Sequence, residues 1–346
     1  LISSISSASP KAEIMRDSRS AGSRLLSLRP TQEGVVFGIT VVLFVVFSAF
    51  LPRFLTTGNI LTLLNNVSTL GMLAIGMGMI VVGRGIDLTM VAVMVIGVSF
   101  SIWLSTVGIP FGWALVIGGA LVIAIGTVTG VLIAVAEISP IFATLALASV
   151  VYGAGRIAFK SDVVYAPGGL AWFTFLGGGT FLGVPVPIYA TASVALVVSL
   201  FLKTTRFGRF IYAVGDNPAA ARTFGLPTRP VIIVQYAASA LIAFLAGILL
   251  CALVSGINTR IYNSSLIYDV LLVVVLGGIG LSGGKGGVRN VIVGTILVGV
   301  LIDGMTILNV NYTAQNLVKG VILLGALALD AIVNPRDEQT SQSGDI

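Results

Sequence analysis

Ten apolar segments, each near the roughly 20 residues that a helix needs to cross ~30 Å of hydrocarbon, fill most of this chain. They lie at about 34–52, 62–83, 88–106, 112–135, 140–159, 188–202, 231–255, 267–281, 290–309 and 316–333. The 346 residues are 56% hydrophobic and 9% charged, against about 25% charged in an ordinary soluble domain. Too few ionic side chains exist to cover a water-facing surface of this size, so lipid is the remaining solvent. The predicted class is all-α, a polytopic transmembrane helix bundle of about 10 spans. The shortest segments, 188–202 and 267–281, fit half-buried or tilted helices as well as full spans.

Lys and Arg concentrate in cytoplasmic loops of membrane proteins. With the N-terminus inside and ten crossings, only Arg53, Arg156, Lys160, Arg260 and Lys319 fall outside; the rest of the 19 basic residues fall inside. Both termini are therefore expected in the cytoplasm. The net charge of +6 reads as a topology signal, with membrane lipid as the partner and no nucleic acid. Residues 1–33, Ser-rich and basic, are expected to be a disordered cytoplasmic N-terminal tail. Residues 34–333 form the membrane domain and 334–346 a cytoplasmic C-terminal tail. The first apolar run is too long for a secretory signal core, and no small-residue cleavage site follows it.

Histidine is absent and Cys251 is the single cysteine. The commonest general base and metal ligand are thus missing, and a disulfide framework is excluded. No catalytic residue and no metal site is expected. Gly278-x-Gly280-x-x-Gly283 matches a dinucleotide fingerprint by letter, but that pattern carries meaning only between a strand and a helix of a βαβ unit. A Walker A sequence is also absent, so no nucleotide cofactor is expected on this chain. The glycines Gly277, Gly278, Gly283 and Gly284 instead suit a tight turn and close helix packing.

The long polar stretch Lys203 to Pro230 carries helix punctuation. Asn217 is a good N-cap, Pro218 suits the first helical position, and Ala219 to Arg222 favour helix. Gly225 then fits a left-handed C-terminal cap. The reading is a two-turn helix, 218–224, too short to stand alone and in need of a partner surface.

Four stretches together resemble sugar-type ABC import permeases of the ribose/xylose/arabinose group. They are Gly208-Arg209…Tyr212-Ala213-Val214-Gly215-Asp216-Asn217-Pro218…Ala220-Ala221-Arg222…Gly225, then Gly83-Arg84-Gly85-Ile86-Asp87-Leu88-Thr89, then Ser139-Pro140-Ile141-Phe142-Ala143-Thr144-Leu145, then Leu276-Gly277-Gly278…Ser282-Gly283-Gly284-x-Gly286. They run in order from about 60 to 330. Val91 departs from the family, which usually has glycine there. The resemblance implies a type II ABC importer-like permease in a bacterial inner membrane, without ATPase activity of its own. It implies two permease subunits, alike or related, two cytoplasmic ABC ATPase subunits that use ATP and Mg, and a periplasmic sugar-binding protein. It places Gly215, Asp216, Asn217, Ala220, Arg222 and Gly225 in the ATPase-coupling element.

Ionisable groups inside a membrane are functional candidates by default. Asp87, Asp269 and Asp330 fall near span ends and suit structural roles, with Arg84 placed to pair locally with Asp87. Arg156 is a further candidate. Asp303 lies deeper and suits either the pathway or a bond to a neighbouring helix. Asn65, Asn66 and Ser68 are polar enough for a sugar path and equally suited to helix-to-helix hydrogen bonds. The rival to an importer is a self-sufficient secondary carrier or channel for a small polar solute. Such a carrier usually shows several mid-span carboxylates or interrupted helices. An intramembrane enzyme lacks any evident nucleophile–base pair.

Overall fold

A computed structural model describes residues 32–159 and 162–333. Except for residues 32 and 33, the predicted tails lie outside the described residues, as does Lys160. Helix α1 (Gln32–Phe50) leads into α2 (Thr57–Val82), α3 (Met90–Thr106), α4 (Phe111–Ala134) and α5 (Pro140–Phe159). Strand β1 (Val163–Tyr165), helix α6 (Ala171–Gly178) and the hairpin β2 (Thr180–Phe181) with β3 (Val184–Pro185) follow. Next come α7 (Val186–Thr204), α8 (Arg206–Asp216), α9 (Pro218–Thr223) and α10 (Thr228–Val254). Strand β4 (Gly256–Asn258), a 3₁₀ turn, α11 (Leu266–Leu276), α12 (Val288–Ile307) and α13 (Tyr312–Val333) complete the chain.

A helix stands at each of the ten apolar segments. Seven of them (α1, α2, α4, α5, α7, α10 and α12) are long and apolar enough to cross a membrane. Helix α7, 19 residues long, is among them, although its apolar segment is one of the two shortest. Helices α3 and α11 are apolar but shorter, at 17 and 11 residues. At 1.5 Å per residue α11 reaches only about 16 Å, and the glycine-rich segment 277–287 follows it. The all-α class holds; the sheets are two short two-stranded pairs among the described residues.

Helix α10 lies at the centre, packed against α2, α3, α4 and α6. Its seam with α4 has small residues where backbones meet. A Cβ on Gly126 would sit 2.6 Å from the Tyr236 carbonyl oxygen, and one on Gly130 2.5 Å from Ile233 Cα. Without a hydrophobic drive between helices in lipid, such close van der Waals contact is what holds them together. Helix α1 instead rides on the rim. There Phe44, Phe47 and Phe54 stack edge-on at 5.4 and 5.8 Å over Leu63, Val67 and Val300.

The connections gather at two opposite ends. At one end β1 pairs antiparallel with β4, Val164 opposite Ile257. Asp162 just before β1 binds Arg156 at 2.8 Å and Arg260 at 2.6 Å. Thr259 donates its backbone N–H to the Asp162 carbonyl and accepts from Arg156 Nη1. Partial burial works to raise the Asp162 pKa, but the hydrogen bonds and charges of Arg156 and Arg260 outweigh it and hold the carboxyl below its usual range. A depressed carboxylate contributes stability above its unfolded pKa of ~3.9 and loses it as pH falls through the lower folded value. Asp162→Asn is accordingly expected to lower the melting temperature of the purified protein at about pH 7. The difference from the native protein should shrink as pH drops below ~4, as followed by thermal unfolding in detergent.

Candidate functional site: the surface helix pair and its socket

At the other end of the bundle the stretch after α7 folds as two helices rather than one. Thr205 caps α8, accepting from the Gly208 N–H at 3.0 Å. Gly208, Ile211, Val214 and Gly215 recur at helical spacing and are buried, while Arg206, Arg209 and Asp216 stay exposed. That one-sided pattern is what lays a short helix along a surface. The expectation of a loop with a single two-turn helix is corrected here: the loop begins with an amphipathic helix of 11 residues.

Helix α9 forms where the punctuation placed it. Asn217 Oδ1 accepts from the Ala220 N–H at 2.9 Å, and Pro218 takes the first position. The helix ends in a complete Schellman motif. The Leu226 N–H donates to the Ala221 carbonyl at 3.0 Å, the Gly225 N–H donates to the Arg222 carbonyl at 2.9 Å, and Gly225 has φ +72°. Ala221 is buried against α8 and α10, whereas Ala219, Arg222, Thr223 and Phe224 are exposed. Phe224 is 82% exposed, an unusual position for a large aromatic, on a polar stretch that also carries Arg206, Arg209, Arg222 and Arg229.

The socket that receives α8 is backbone. A Cβ on Gly215 would lie 1.9 Å from the Val82 carbonyl oxygen at the end of α2 and 2.7 Å from the Gly284 nitrogen. The Gly284 N–H donates to the same Val82 carbonyl at 2.8 Å. A Cβ on Gly284 would meet Asp216 Cα at 2.8 Å. Three elements therefore touch main chain to main chain: the end of α2, the end of α8 and the loop 277–287. The loop is fixed at its other points as well. Tyr212 Oη donates to the Gly286 carbonyl at 2.8 Å, Asn290 Nδ2 donates to the Gly277 carbonyl at 3.0 Å, and the Leu281 N–H donates to Asp330 Oδ2 at 3.3 Å. Gly278, Gly283, Gly284 and Gly286 all have positive φ, as a tight turn requires, and the segment joins helix α11 to helix α12.

The remaining candidates separate. Asp87 is buried, but Arg84 does not pair with it. Its carboxylate accepts instead from the Thr89 backbone N–H, the Thr89 hydroxyl and Ser239 Oγ. Asp303 lies toward the C-terminal end of α12, four residues before Ile307, and Asn59 Nδ2 donates to it at 2.8 Å. That contact is a tie between helices α2 and α12. Asn66 is exposed, and Asn65 is half-buried with its Oδ1 buried and without a hydrogen-bond partner. Ser68 lines a groove of about 200 Å³ between α2, α7 and α12 together with Gly71, Thr191 and Thr295. The hydroxyls there are bonded to backbone carbonyls, so the groove wall is largely apolar. Sequence reading also missed a buried ion pair: Lys319 Nζ on α13 lies 2.7 Å from Asp269 on α11. The partners stand 50 residues apart, and no local pattern announces them. A cavity of about 590 Å³ opens beside the pair, lined also by Ser265, Tyr268 and Asn316.

Residues 59–327 match the family described as "Branched-chain amino acid transport system / permease component". Among curated proteins, the chain is 32% identical over 293 residues to the ribose import permease protein RbsC of Escherichia coli (strain K12), covering 84% of this chain and 90% of that one. It is 31% identical over 289 residues to RbsC of Bacillus subtilis (strain 168), covering 84% and 89%. It is 33% identical over 303 residues to the L-arabinose ABC transporter permease protein AraH of Azospirillum brasilense, covering 86% and 87%. No solved structure matches the chain significantly. The matched span contains the α8–α9 pair, its socket and nearly every helix of the bundle, and the chain belongs to this ABC permease family.

Proposed function

We propose that the chain is the membrane subunit of an ATP-driven importer that moves a monosaccharide, a pentose by analogy with the ribose and arabinose permeases it is similar to. The observation that carries the reading is the α8–α9 pair. It offers an exposed surface of Arg222, Thr223 and Phe224 on one side and main-chain contact with α2 and the loop 277–287 on the other. A short, doubly capped helix seated this way is a lever. Cytoplasmic ATPase subunits grip α9, close on ATP and Mg, and the movement passes through Gly215 to α2. A second permease subunit, the same or related, completes the pathway, and a periplasmic sugar-binding protein delivers the substrate. The positive-inside count supports an inner membrane orientation with α8 and α9 in the cytoplasm. It puts the Asp162–Arg156–Arg260 cluster outside. Selectivity rests mainly with the delivery protein, since the groove beside Ser68 presents bonded hydroxyls and little free polarity.

Purified permease in liposomes is expected to take up no labelled D-ribose or L-arabinose by itself. Uptake should appear when an ABC ATPase, a sugar-binding protein, ATP and Mg are supplied together. Uptake by the permease alone would establish a secondary carrier or channel and overturn the importer reading.

A further inference from the structure

The turn 83–89, which joins α2 to α3, has an unusual shape and an unusual set of attachments. Helix α2 closes with the Arg84 N–H on the Val81 carbonyl at 2.9 Å and the Gly85 N–H on the Ile80 carbonyl at 3.0 Å. This is a Schellman ending in which arginine, not glycine, occupies the left-handed position, φ +68°. A non-glycine residue there persists only when its surroundings over-determine it. The surroundings are three side chains from one face of α10. Gln235 Nε2 donates to the Met79 carbonyl at 3.0 Å, Tyr236 Oη donates to the Ile86 carbonyl at 3.2 Å, and Ser239 Oγ donates to Asp87 Oδ2 at 2.7 Å. All three side chains and Asp87 are buried. The glycines flanking Arg84 make room: a Cβ on Gly83 would collide with the Gln235 amide and one on Gly85 would lie 2.6 Å from Tyr236 Oη.

We infer that Asp87 is a positioning residue for coupling, clamping the α2–α3 turn to α10 so that the two move as one body. The inference rests on the lever reading above and deepens it. The same turn is what the lever pushes on: Arg84 touches Gly283 and the adjoining Val82 carbonyl meets Gly215 and Gly284. Helix α10 in turn follows α9 after a connection of only four residues. Motion at α9 therefore has two routes into the bundle, one through α8 to α2 and one along the chain into α10. Asp87 and Ser239 join those routes at one point.

The test uses the assembled complex in liposomes, with labelled D-ribose and L-arabinose as probes. Ser239→Ala with Tyr236→Phe removes two of the bonds between α10 and the turn while leaving Asp87 bonded to Thr89. The ATPase should still co-purify and hydrolyse ATP within about twofold of the native rate, while sugar moved per ATP falls at least about fivefold, the low end of a typical coupling free energy. Asp87→Asn should stay within about twofold of the native ratio, because an amide satisfies the Thr89 N–H through its oxygen and Ser239 through its nitrogen. An unchanged ratio in the double variant would overturn the inference. So would ATP hydrolysis and uptake falling in parallel, or a loss in Asp87→Asn equal to that of the double variant. Failure of the lever reading would show earlier and differently, as native permease that retains no ATPase or that transports without it.

Discussion

Gly225→Pro is expected to abolish ATP-driven sugar uptake while the permease still inserts and folds. The position isolates a backbone effect, because a Cβ at Gly225 meets nothing within 4 Å. What changes is the dihedral and the donor. Gly225 sits at φ +72° and gives its N–H to the Arg222 carbonyl at 2.9 Å. Proline is locked near φ −65° and has no N–H, and it also disfavours the conformation of the residue before it. Phe224 has φ −79° and ψ 8°, outside the extended region that a following proline imposes. The Schellman motif cannot form, and the chain leaves α9 in another direction. A penalty of ~3 kcal/mol or more exceeds what six residues of helix can oppose, so α9 should come apart while α10 and the bundle remain. A graded series separates cause from accident. Gly225→Asn, which tolerates the left-handed region, should retain most uptake, and Gly225→Ala should lie between. Normal expression and detergent stability of all three, with uptake and ATPase co-purification lost only for proline, is the expected pattern. Undiminished uptake by Gly225→Pro would remove α9 from the coupling route.

The reason α9 was legible in the sequence is that its information is local. Asn217, Pro218 and Gly225 lie within nine residues, and each acts on backbone groups no more than five residues away. The apolar segments were legible for a similar reason, since a run of about 20 apolar residues states its solvent without reference to anything else. Helix α8 carried a signal too. Thr205 as a cap and Gly208, Ile211 and Val214 at intervals of three are a short amphipathic pattern, but a run of only 11 residues between two membrane spans reads as a connection until its partner surface is seen. The contacts that make a site out of these pieces were not legible. Asp87 meets Ser239 across 152 residues and Lys319 meets Asp269 across 50, and nothing near any of the four residues identifies the other. Arg84 beside Asp87 even pointed to the wrong partner. Proximity along the chain favours such a pair, whereas the buried turn satisfies its carboxylate with two hydroxyls and an amide.

Gly225 and Gly215 are required for different reasons. Gly225 is needed for its dihedral. Gly215 is an ordinary helical residue needed for its missing side chain, because a Cβ would stand 1.9 Å from the Val82 carbonyl oxygen and 2.7 Å from the Gly284 nitrogen. Both obstacles are main chain, and the Gly284–Val82 hydrogen bond at 2.8 Å joins them. No flexible side-chain end is available to swing away. Gly215→Ala must therefore push α8 off its socket or break that bond, and Gly215→Val must do more of both. Overpacking of this kind costs about 1–3 kcal/mol and occasionally more, enough to shift a two-state switch by roughly one to two powers of ten. Because α9 keeps its own caps, the variant should still bind ATPase through Arg222 and Phe224. Its failure should appear instead as ATP hydrolysis that no longer responds to sugar-loaded delivery protein, with uptake reduced at least about tenfold for alanine and lost for valine. The site of disconnection thus differs between the two glycines: Gly225→Pro should lose the ATPase, and Gly215→Val should hold it and fail to be driven by it. Equal loss of ATPase binding in both variants would mean that α8 and α9 act as one docking surface and that the socket transmits nothing.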